Sequence, residues 1–259
     1  MAYDYDSFKS DVLKLTGIDL NLYKERQMKR RIESLIVRKG YDGFDSFYKG
    51  MKQDENLLRT FVSYLTINVS QFYRNPTQWK IFESDILPYL CKQFHNKVSI
   101  WSAACSTGDE PYTLAMICAK YIPLENIHII ATDIDDDVLR FARQGIYSSK
   151  SLVDLPKEFL QKWFTAYDEN RYIIDDKIKK CISFKKHNLL ADPYYNGLNL
   201  IVCRNVVIYF TDEAKIQIYK QFEQSLDRQG ILFIGSTEQI LKPKEYGFES
   251  FATFFYKKD

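Results

Sequence analysis

The amino-acid sequence predicts a small all-helical N-terminal unit joined to a doubly wound α/β domain. The first 67 or so residues contain only amphipathic helical patterns. From residue 98 onward, short apolar runs alternate with helical patterns, and three of these runs lie at 98–104, 127–132 and 198–203. Continuous apolar runs are typical of strands buried on both faces, so the second part indicates a parallel sheet covered by helices.

Composition supports a folded protein and excludes several classes. The chain has 259 residues, of which 46% are hydrophobic and 15% aromatic, so it can bury a large core and disorder is not expected. Its formal net charge of +2 excludes a globally polycationic protein. The five cysteines form no C-x-x-C pair, which fits reduced thiols. A polar start and the lack of an apolar run of about 18 residues lead us to expect a soluble, cytoplasmic protein without membrane insertion.

The helical unit is predicted to span residues 1–67. Its helical patterns lie at 5–16, 23–39, 42–51 and 56–67. Gly17, Gly40 and Gly43 mark helix ends or turns between them. Residues 68–96 are predicted to form a polar linker followed by a connecting helix over 77–94, with Thr77 as a possible cap.

The α/β domain is predicted to span residues 97–259. Helices at 110–121, 136–144 and 212–226 separate its strands, and further strands are expected at 231–236 and 248–256. The last of these alternates enough to be an antiparallel edge strand. One segment departs from this rhythm, because a short helix at 155–163 is followed by alternating polar and apolar residues. We interpret residues 164–186 as a small antiparallel β insertion.

The loop after the first strand indicates the chemistry of the domain. Residues 98–115 suggest a strand, a turn of small residues and the start of a helix, and residues 127–135 suggest a strand that ends on an acid. Asp133 follows Gly108 by 25 residues. In α/β sheets this arrangement brings backbone near a nucleoside and lets the acid accept hydrogen bonds from ribose. Only one glycine is present, which points to an adenosyl ligand without a pyrophosphate, such as S-adenosylmethionine.

Five segments together resemble the CheR-type chemotaxis receptor methyltransferases, which are S-adenosylmethionine-dependent protein-glutamate O-methyltransferases. The segments, in order, are LTINVSQFYRNP (65–76), WSAACSTGDEPYTLA (101–115), ATDID (131–135), FKKHNLL (184–190) and CRNVVIYF (203–210). The resemblance covers nearly the whole chain. It implies a class I S-adenosylmethionine-dependent methyltransferase fold, with S-adenosylhomocysteine as product.

The resemblance also implies individual roles. The implied cofactor contacts are Asn68, Ser70 and Arg74 over the methionine end, Glu110 at the amino group, Asp133 at the ribose, Asn188 and Leu189 at the adenine, and Arg204 with Asn205 along the wall. Arg74 and Tyr209 are the candidates for orienting the incoming glutamate. We expect no metal ion, because the three histidines share no metal-ligand spacing.

A basic helix is the candidate docking surface. Residues 23–39 contain seven Lys or Arg and two Glu, with Lys24, Arg31 and Arg38 at seven-residue intervals beside an apolar stripe. Such a surface suits an acidic partner, and the resemblance implies that it docks the glutamate-bearing helices of chemoreceptors. Because exposed charges are screened within about 8–10 Å at physiological salt, this docking should be salt-sensitive.

The sequence therefore predicts a monomeric enzyme that transfers methyl groups from S-adenosylmethionine to glutamate side chains in the cytoplasmic domain of chemoreceptors. Two alternatives stay open. A nucleic-acid methyltransferase would use the basic helix and read residues 205–210 as a base-binding loop, although the near-neutral charge opposes it. A non-catalytic cofactor-binding module would regulate a partner. Single residues also have structural interpretations: Asp133 as a helix cap, Glu110 as a helix start and Tyr209 as a core aromatic.

Overall fold

The computed structural model describes residues 3–259, which form an N-terminal helical domain and a larger α/β domain. The helices of the first domain are α1 Tyr5–Thr16, α2 Glu25–Arg38, α3 Phe44–Gln53 and α4 Glu55–Thr66. They pack around a buried aromatic cluster that includes Phe8, Phe47 and Phe61. The four helices predicted from periodicity are confirmed, with boundaries shifted by at most two residues.

Local sequence explains where α1 begins and ends. The side chain of Asp4 accepts a hydrogen bond from the backbone N–H of Ser7, which satisfies one free donor of the first turn. Gly17 has φ of 73°, and its N–H donates to the carbonyl of Leu13. A glycine is favoured here because the left-handed conformation costs it no side-chain clash.

A connecting helix joins the two domains and packs on the sheet. It consists of α5 Pro76–Ile81, a π-helical turn over Phe82–Ile86 and α6 Leu87–Gln93. Pro76 stands at the first turn, where its missing N–H costs no hydrogen bond. The indole of Trp79 meets the ring of Phe233 edge to face, with 5.5 Å between centroids. The helix predicted over 77–94 is thus confirmed, and it belongs to the core of the α/β domain. The predicted cap is wrong, because Asn75 and not Thr77 occupies the N-cap position.

The α/β domain contains a seven-stranded mixed sheet and a separate three-stranded sheet. The strands are β1 Val98–Ala103, β2 Ile127–Asp133, β3 Ile146–Ser148, β4 Phe164–Ala166, β5 Arg171–Ile174, β6 Ile182–Lys186, β7 Leu198–Cys203, β8 Leu226–Ile234, β9 Phe248–Ala252 and β10 Phe255–Lys258. The helices are α7 Asp109–Cys118, α8 Asp136–Gln144, α9 Lys157–Trp163, α10 Asp176–Lys179 and α11 Asp212–Ser225. The main sheet has the order β6-β2-β1-β7-β8-β10-β9. Its first five strands are parallel, and β10 is antiparallel to both neighbours.

Two sequence predictions need correction. The antiparallel insertion predicted at 164–186 is instead the sheet β3-β5-β4, which includes Ile146–Ser148 and excludes Ile182–Lys186. The excluded segment is β6, a parallel edge strand of the main sheet paired with β2. An edge strand that is half exposed alternates in polarity like an antiparallel one, which explains the error. The single strand predicted at 248–256 is a hairpin of β9 and β10, which turns near Phe254 at φ of 70°.

The two domains are joined at the carboxyl ends of the central strands. Asp135, which follows β2, is 2% exposed and caps α8 by accepting a hydrogen bond from the N–H of Asp137. Its other carboxylate oxygen accepts from the Ser63 hydroxyl at 2.7 Å and from the Asn68 amide at 2.8 Å. A buried carboxylate of the α/β domain therefore fixes the end of α4 and the start of the linker.

All five cysteines are free thiols, and four of them are buried. Within residues 3–259, none of the helices combines the length and the hydropathy needed to cross a membrane.

Replacing Asp135 with alanine should weaken this joint. The change removes the cap of α8 and leaves the Ser63 hydroxyl and the Asn68 amide without their acceptor. We expect the free energy of unfolding, measured by urea denaturation, to fall by about 2–3 kcal/mol. The control is Asp136→Ala, which removes an exposed carboxylate paired with Lys186 and should change the same quantity by less than about 0.5 kcal/mol. Equal effects of the two substitutions would contradict the joint.

Candidate cofactor site

A cavity with two lobes lies between the helical domain and the carboxyl ends of β1, β2 and β7. The first lobe is mainly apolar and is lined by Tyr23, Leu65, Thr66, Ala104, Asp133, Ile134, His187, Asn188, Leu189, Val206, Tyr209 and Phe210. The second lobe is mainly polar and is lined by Thr66, Ile67, Asn68, Val69, Ser70, Gln71, Arg74, Ala104, Cys105, Ser106, Glu110, Asp133, Arg204, Asn205 and Val206. Asp133 faces both. All nine predicted cofactor residues line one lobe or the other.

Asp133 ends β2 at the boundary between the lobes. One carboxylate oxygen accepts a hydrogen bond from the N–H of Ser106 at 2.8 Å, and the other accepts from the N–H of Asp135 at 3.1 Å. Each oxygen keeps lone pairs for a further donor, such as a ribose hydroxyl. Burial raises the pKa of Asp133 to about 6, although the two backbone donors act in the opposite direction. Asp133 is not the cap of the helix that follows β2, because Asp135 occupies the N-cap position of α8.

The loop between β1 and α7 contributes to the lining of the cavity, but its glycine, Gly108, lies outside that lining. Ala104 and Ser106 both have positive φ and line the lobes. Among residues 3–259, Gly108 is not one of those that line either lobe. Gly108 has φ of +89°, and a Cβ there would lie 2.8 Å from the Cβ of Ala142. Glycine is therefore required by conformation and by packing on α8, and not by approach to a ligand.

Glu110 and Arg204 form a buried ion pair on the wall of the polar lobe. The Arg204 Nη1 lies 3.4 Å from one carboxylate oxygen of Glu110, and the hydroxyl of Ser102 donates to the other at 2.9 Å. Burial raises the pKa of Glu110, which the Arg204 charge opposes, and burial lowers the pKa of Arg204. A carboxylate held in this way offers its remaining lone pairs to a cationic group of a ligand.

Arg204 also holds the linker in place. Its Nη2 donates to the carbonyl of Arg74 at 2.8 Å and to the side chain of Gln78 at 2.7 Å. The guanidinium lies over the rings of Trp79 and Phe233, at 5.0 and 4.9 Å from their centroids. These contacts make it a residue that positions the linker as well as one that lines the cavity.

The linker contributes the outer wall of the polar lobe. Arg74 is half-buried, and its Nη1 donates to the carbonyl of Val69 at 2.9 Å, which closes the linker on itself. The amide of Asn68 is engaged by Asp135, while its oxygen accepts from the Ser106 hydroxyl at 3.4 Å. Ser70 lines the same lobe. The structure therefore brings together the three linker residues predicted to cover the methionine end.

The apolar lobe contains the residues predicted at the adenine. Leu189 is buried and contributes an apolar wall. The side chain of Asn188 is engaged locally, donating to the carbonyl of Gly17 at 3.2 Å and accepting from the N–H of Leu190 at 2.9 Å. Tyr209 lines this lobe, whereas Arg74 lines the polar one. The two predicted catalytic residues thus lie on different lobes, and their roles stay predictions.

Glu238 is a residue that the sequence reasoning missed. It is 5% exposed, and its carboxylate accepts four backbone N–H bonds of 2.6–2.9 Å, from Asn205, Val206, Val207 and Gly235. Asn205 stands at φ of 61°, which this set of bonds helps to maintain. Glu238 therefore fixes the loop after β7 that lines both lobes. No local pattern in the sequence marks it, because three of its four partners lie 31–33 residues earlier in the chain.

The predicted docking residues are placed differently from one another. Lys24 is exposed and precedes α2, while Arg38 is exposed on its last turn with its guanidinium 4.8 Å from the ring of Tyr64. Arg31, the third predicted docking residue, differs from these two in its exposure. Arg31 is half-buried, and its Nη2 donates to the carbonyl of Tyr64 at 2.6 Å. This hydrogen bond ties α2 to α4. Arg31 tolerates partial burial because its aliphatic stem follows the apolar stripe.

The two lobes fit a ligand that has an apolar ring at one end and charged groups at the other. An adenine suits the apolar lobe, ribose hydroxyls suit the carboxylate of Asp133 between the lobes, and an amino acid suits the paired charges of the polar lobe. This is the distribution of groups in S-adenosylmethionine.

Comparison with known proteins agrees with this fit. Residues 3–66 match the family model described as the CheR methyltransferase all-alpha domain, and residues 68–254 match that of the CheR methyltransferase SAM binding domain. The chain belongs to the CheR methyltransferase family. Its cofactor is therefore S-adenosylmethionine, the product formed from it is S-adenosylhomocysteine, and the fold and family predicted from the sequence are confirmed.

Curated CheR relatives extend over nearly the whole chain. A chemotaxis protein methyltransferase of Listeria monocytogenes is 46% identical over 257 residues, covering 98% of this chain and 97% of that protein. One of Borreliella burgdorferi is 31% identical, covering 94% and 89%. Chemotaxis protein methyltransferase 2 of Vibrio cholerae is 29% identical, covering 92% and 85%.

The raised pKa of Asp133 predicts how cofactor affinity depends on pH. The ionised carboxylate is the better acceptor for ribose hydroxyls, and it predominates above its pKa of about 6. We expect the Kd for S-adenosylhomocysteine, measured by isothermal titration calorimetry, to be constant above about pH 7 and to rise by up to about tenfold per unit below about pH 6. Asp133→Asn should bind weakly at every pH. A wild-type Kd that is flat down to about pH 5 would contradict the role of Asp133.

Removing the Glu238 carboxylate should disturb the loop that lines both lobes. Glu238→Ala leaves four backbone N–H groups without an acceptor, so we expect the free energy of unfolding to fall by about 3 kcal/mol and the Kd for S-adenosylhomocysteine to rise. Glu245→Ala is the control, since this nearby carboxylate is exposed and paired with Lys242. Denaturation and calorimetry on both variants measure the two effects. Indistinguishable behaviour of the two variants would show that the loop does not depend on Glu238.

Proposed function

We propose that this chain transfers the methyl group of S-adenosylmethionine to glutamate side-chain carboxylates of chemoreceptors. The observation that most supports this is the position of the basic helix α2 directly beside the cofactor cavity. Lys24 immediately precedes α2, and its backbone N–H donates to the carbonyl of Tyr209, a residue of the apolar lobe, at 3.0 Å. An acidic helical substrate held on α2 would therefore lie next to the site of transfer. The names of the curated relatives support a partner in chemotaxis.

The reaction requires little acid–base chemistry from the protein. When bound, S-adenosylmethionine supplies a methyl group on a positively charged sulfur. A glutamate carboxylate, with an ordinary pKa of about 4.3, is already ionised at neutral pH. Its oxygen forms the new bond to the methyl carbon as the bond from carbon to sulfur breaks, and the electron pair stays on sulfur. The products are a glutamyl methyl ester and S-adenosylhomocysteine, and a general base has no proton to remove.

The contribution of the chain is to position and enclose the reactants. Alignment of two bound reactants can supply about 7–11 kcal/mol of the acceleration. The linker that carries Asn68, Ser70 and Arg74 covers the polar lobe and would exclude water there. We propose that Arg74 and Tyr209 orient the glutamate from opposite sides, since they line different lobes of one cavity.

We propose that docking uses the exposed Lys and Arg side chains of α2 and of the residue that precedes it. These are Lys24, Arg26, Arg30 and Arg38. Arg31 would act indirectly, by holding α2 against α4. We propose that the protein acts as a monomer in the cytoplasm on the cytoplasmic domain of the receptor, and that nucleic acid is not a substrate.

A transfer assay with radiolabelled S-adenosylmethionine tests the substrate class. Purified chemoreceptor cytoplasmic fragment and total RNA are offered in parallel. We expect label on the receptor that is released as methanol by mild base, which identifies a glutamyl ester. Label on RNA would instead support the nucleic-acid alternative. Binding of S-adenosylmethionine without transfer to either substrate would support a regulatory module.

Reversing one charge of α2 should weaken docking without affecting the cofactor. For Arg38→Glu we expect a raised KM for receptor and an unchanged Kd for S-adenosylhomocysteine, because Arg38 lines neither lobe among the residues described. The effect should shrink as salt is raised. Lys92→Glu, which makes the same charge change at an exposed position of α6, is the matched control and should leave both constants unchanged. An equal rise of KM in both variants would indicate a general charge effect rather than docking on α2.

A further inference from the structure

Tyr23 belongs to the helical domain by sequence but packs against both domains. It lies between the short 3-10 helix Leu20–Leu22 and the start of α2. Its side chain contacts the hydrophobic cluster of the helical domain and also the cluster on the α11 side of the main sheet. Its ring meets that of Phe210 edge to face, with 5.1 Å between centroids. Tyr23 is thus held by aromatic packing at the boundary between the domains.

Backbone hydrogen bonds fix the same boundary. The N–H of Lys24 donates to the carbonyl of Tyr209 at 3.0 Å, and the N–H of Thr211 donates to the carbonyl of Leu22 at 2.9 Å. Between these bonds, Tyr23 and Phe210 form an isolated antiparallel bridge. The segment 22–24 is therefore attached to the loop after β7, which Glu238 anchors from its other side. Contacts with the α/β domain therefore fix the position of Tyr23 as much as contacts within the helical domain do.

Tyr23 lines the apolar lobe together with Asp133, Leu189 and Tyr209. Burial raises the pKa of its hydroxyl, and the charge of Asp133 acts in the same direction. The phenol therefore stays neutral at physiological pH and keeps its proton as a hydrogen-bond donor. A neutral aromatic ring with a donor at its edge is suited to contact with a nucleobase or a sugar hydroxyl.

We propose that Tyr23 is a cofactor-contacting residue contributed by the helical domain, so that the adenosyl pocket is completed across the domain boundary. The proposal rests on the assignment of the apolar lobe to the adenosyl group. It adds a specific residue of the helical domain to the predicted cofactor contacts, all nine of which lie in the linker or the α/β domain.

One consequence concerns the basic helix. α2 begins at Glu25, two residues after Tyr23, so a partner that binds α2 and a cofactor that contacts Tyr23 act on the same short segment. If the partner shifts this segment, cofactor affinity changes, and thermodynamic linkage requires the cofactor to change partner affinity by the same factor. The helical domain would then sense cofactor occupancy as well as bind substrate.

Calorimetric binding of S-adenosylhomocysteine to the full-length chain tests the proposal. For Tyr23→Ala we expect the Kd to rise by about 5- to 150-fold, which corresponds to the roughly 1–3 kcal/mol lost when an aromatic that stacks on a base is removed. Tyr23→Phe, which keeps the ring, should change the Kd by less than about fivefold. 5′-Methylthioadenosine, which lacks the amino-acid end, should lose the same factor, because the contact is to the adenosyl group.

Two control variants separate the possible outcomes. Tyr48→Ala removes a half-buried tyrosine of the helical domain outside the cavity lining and should leave the Kd unchanged. Tyr23→Leu preserves apolar volume and replaces the alanine variant if the latter fails to fold, which urea denaturation reveals. A folded Tyr23→Ala or Tyr23→Leu protein whose Kd stays within about twofold of wild type would overturn the proposal. Because no receptor is present, this result is independent of whether chemoreceptors are the substrate.

Discussion

A single buried guanidinium, that of Arg204, holds together the parts that form the polar lobe. It joins the end of β7 to the linker through the Arg74 carbonyl, to α5 through Gln78 and to α7 through Glu110. An unpaired charge in this position would be strongly unfavourable, because burial removes its hydration. The Arg74 carbonyl, the side chains of Gln78 and Glu110 and the faces of Trp79 and Phe233 together compensate for the lost hydration. They do so only when all of the elements that carry them are in place. The geometry of the lobe is therefore a condition for the stability of this side chain.

The helical domain is part of the cavity rather than an attachment to it. Leu65, Thr66 and Tyr23 line the apolar lobe, and Asp135 fixes the end of α4 by hydrogen bonds to Ser63 and Asn68. The same short stretch of chain after β2 supplies Asp133 to the cavity and Asp135 to the joint between the domains. A movement of the helical domain relative to the sheet would thus alter both lobes, which gives a physical basis for communication between the proposed docking surface on α2 and the cofactor.

Sequence patterns predicted those features that depend on neighbouring residues. Continuous apolar runs located β1, β2 and β7, and the acid at the end of β2 marked the centre of the cavity because parallel strands end at one edge. The remaining features depend on contacts between distant residues. Strand β6 was misassigned since its alternating polarity does not distinguish a parallel edge strand from an antiparallel one. Sequence patterns did not predict the roles of Glu238 and Tyr23 or the burial of Arg31. Each depends on contacts with residues more than 30 positions away, and hydrophobic periodicity carries no information about such contacts.

The π-helical turn at Phe82–Ile86 has a consequence for the effect of deletions in the connecting helix. A π-helical turn accommodates one more residue than an α-helical turn of similar rise. Trp79 lies before the turn and faces Arg204, while Leu90 lies after it and is buried in the same core. Deleting one residue within the turn would convert it to an α-helical turn and would leave Trp79 and Leu90 on their present faces. Deleting one residue from the regular α-helix between Trp79 and Leu90 would instead rotate Trp79 by about 100° relative to Leu90. The indole would then leave the guanidinium, so the contact with Arg204 fixes the number of α-helical residues on either side of the turn.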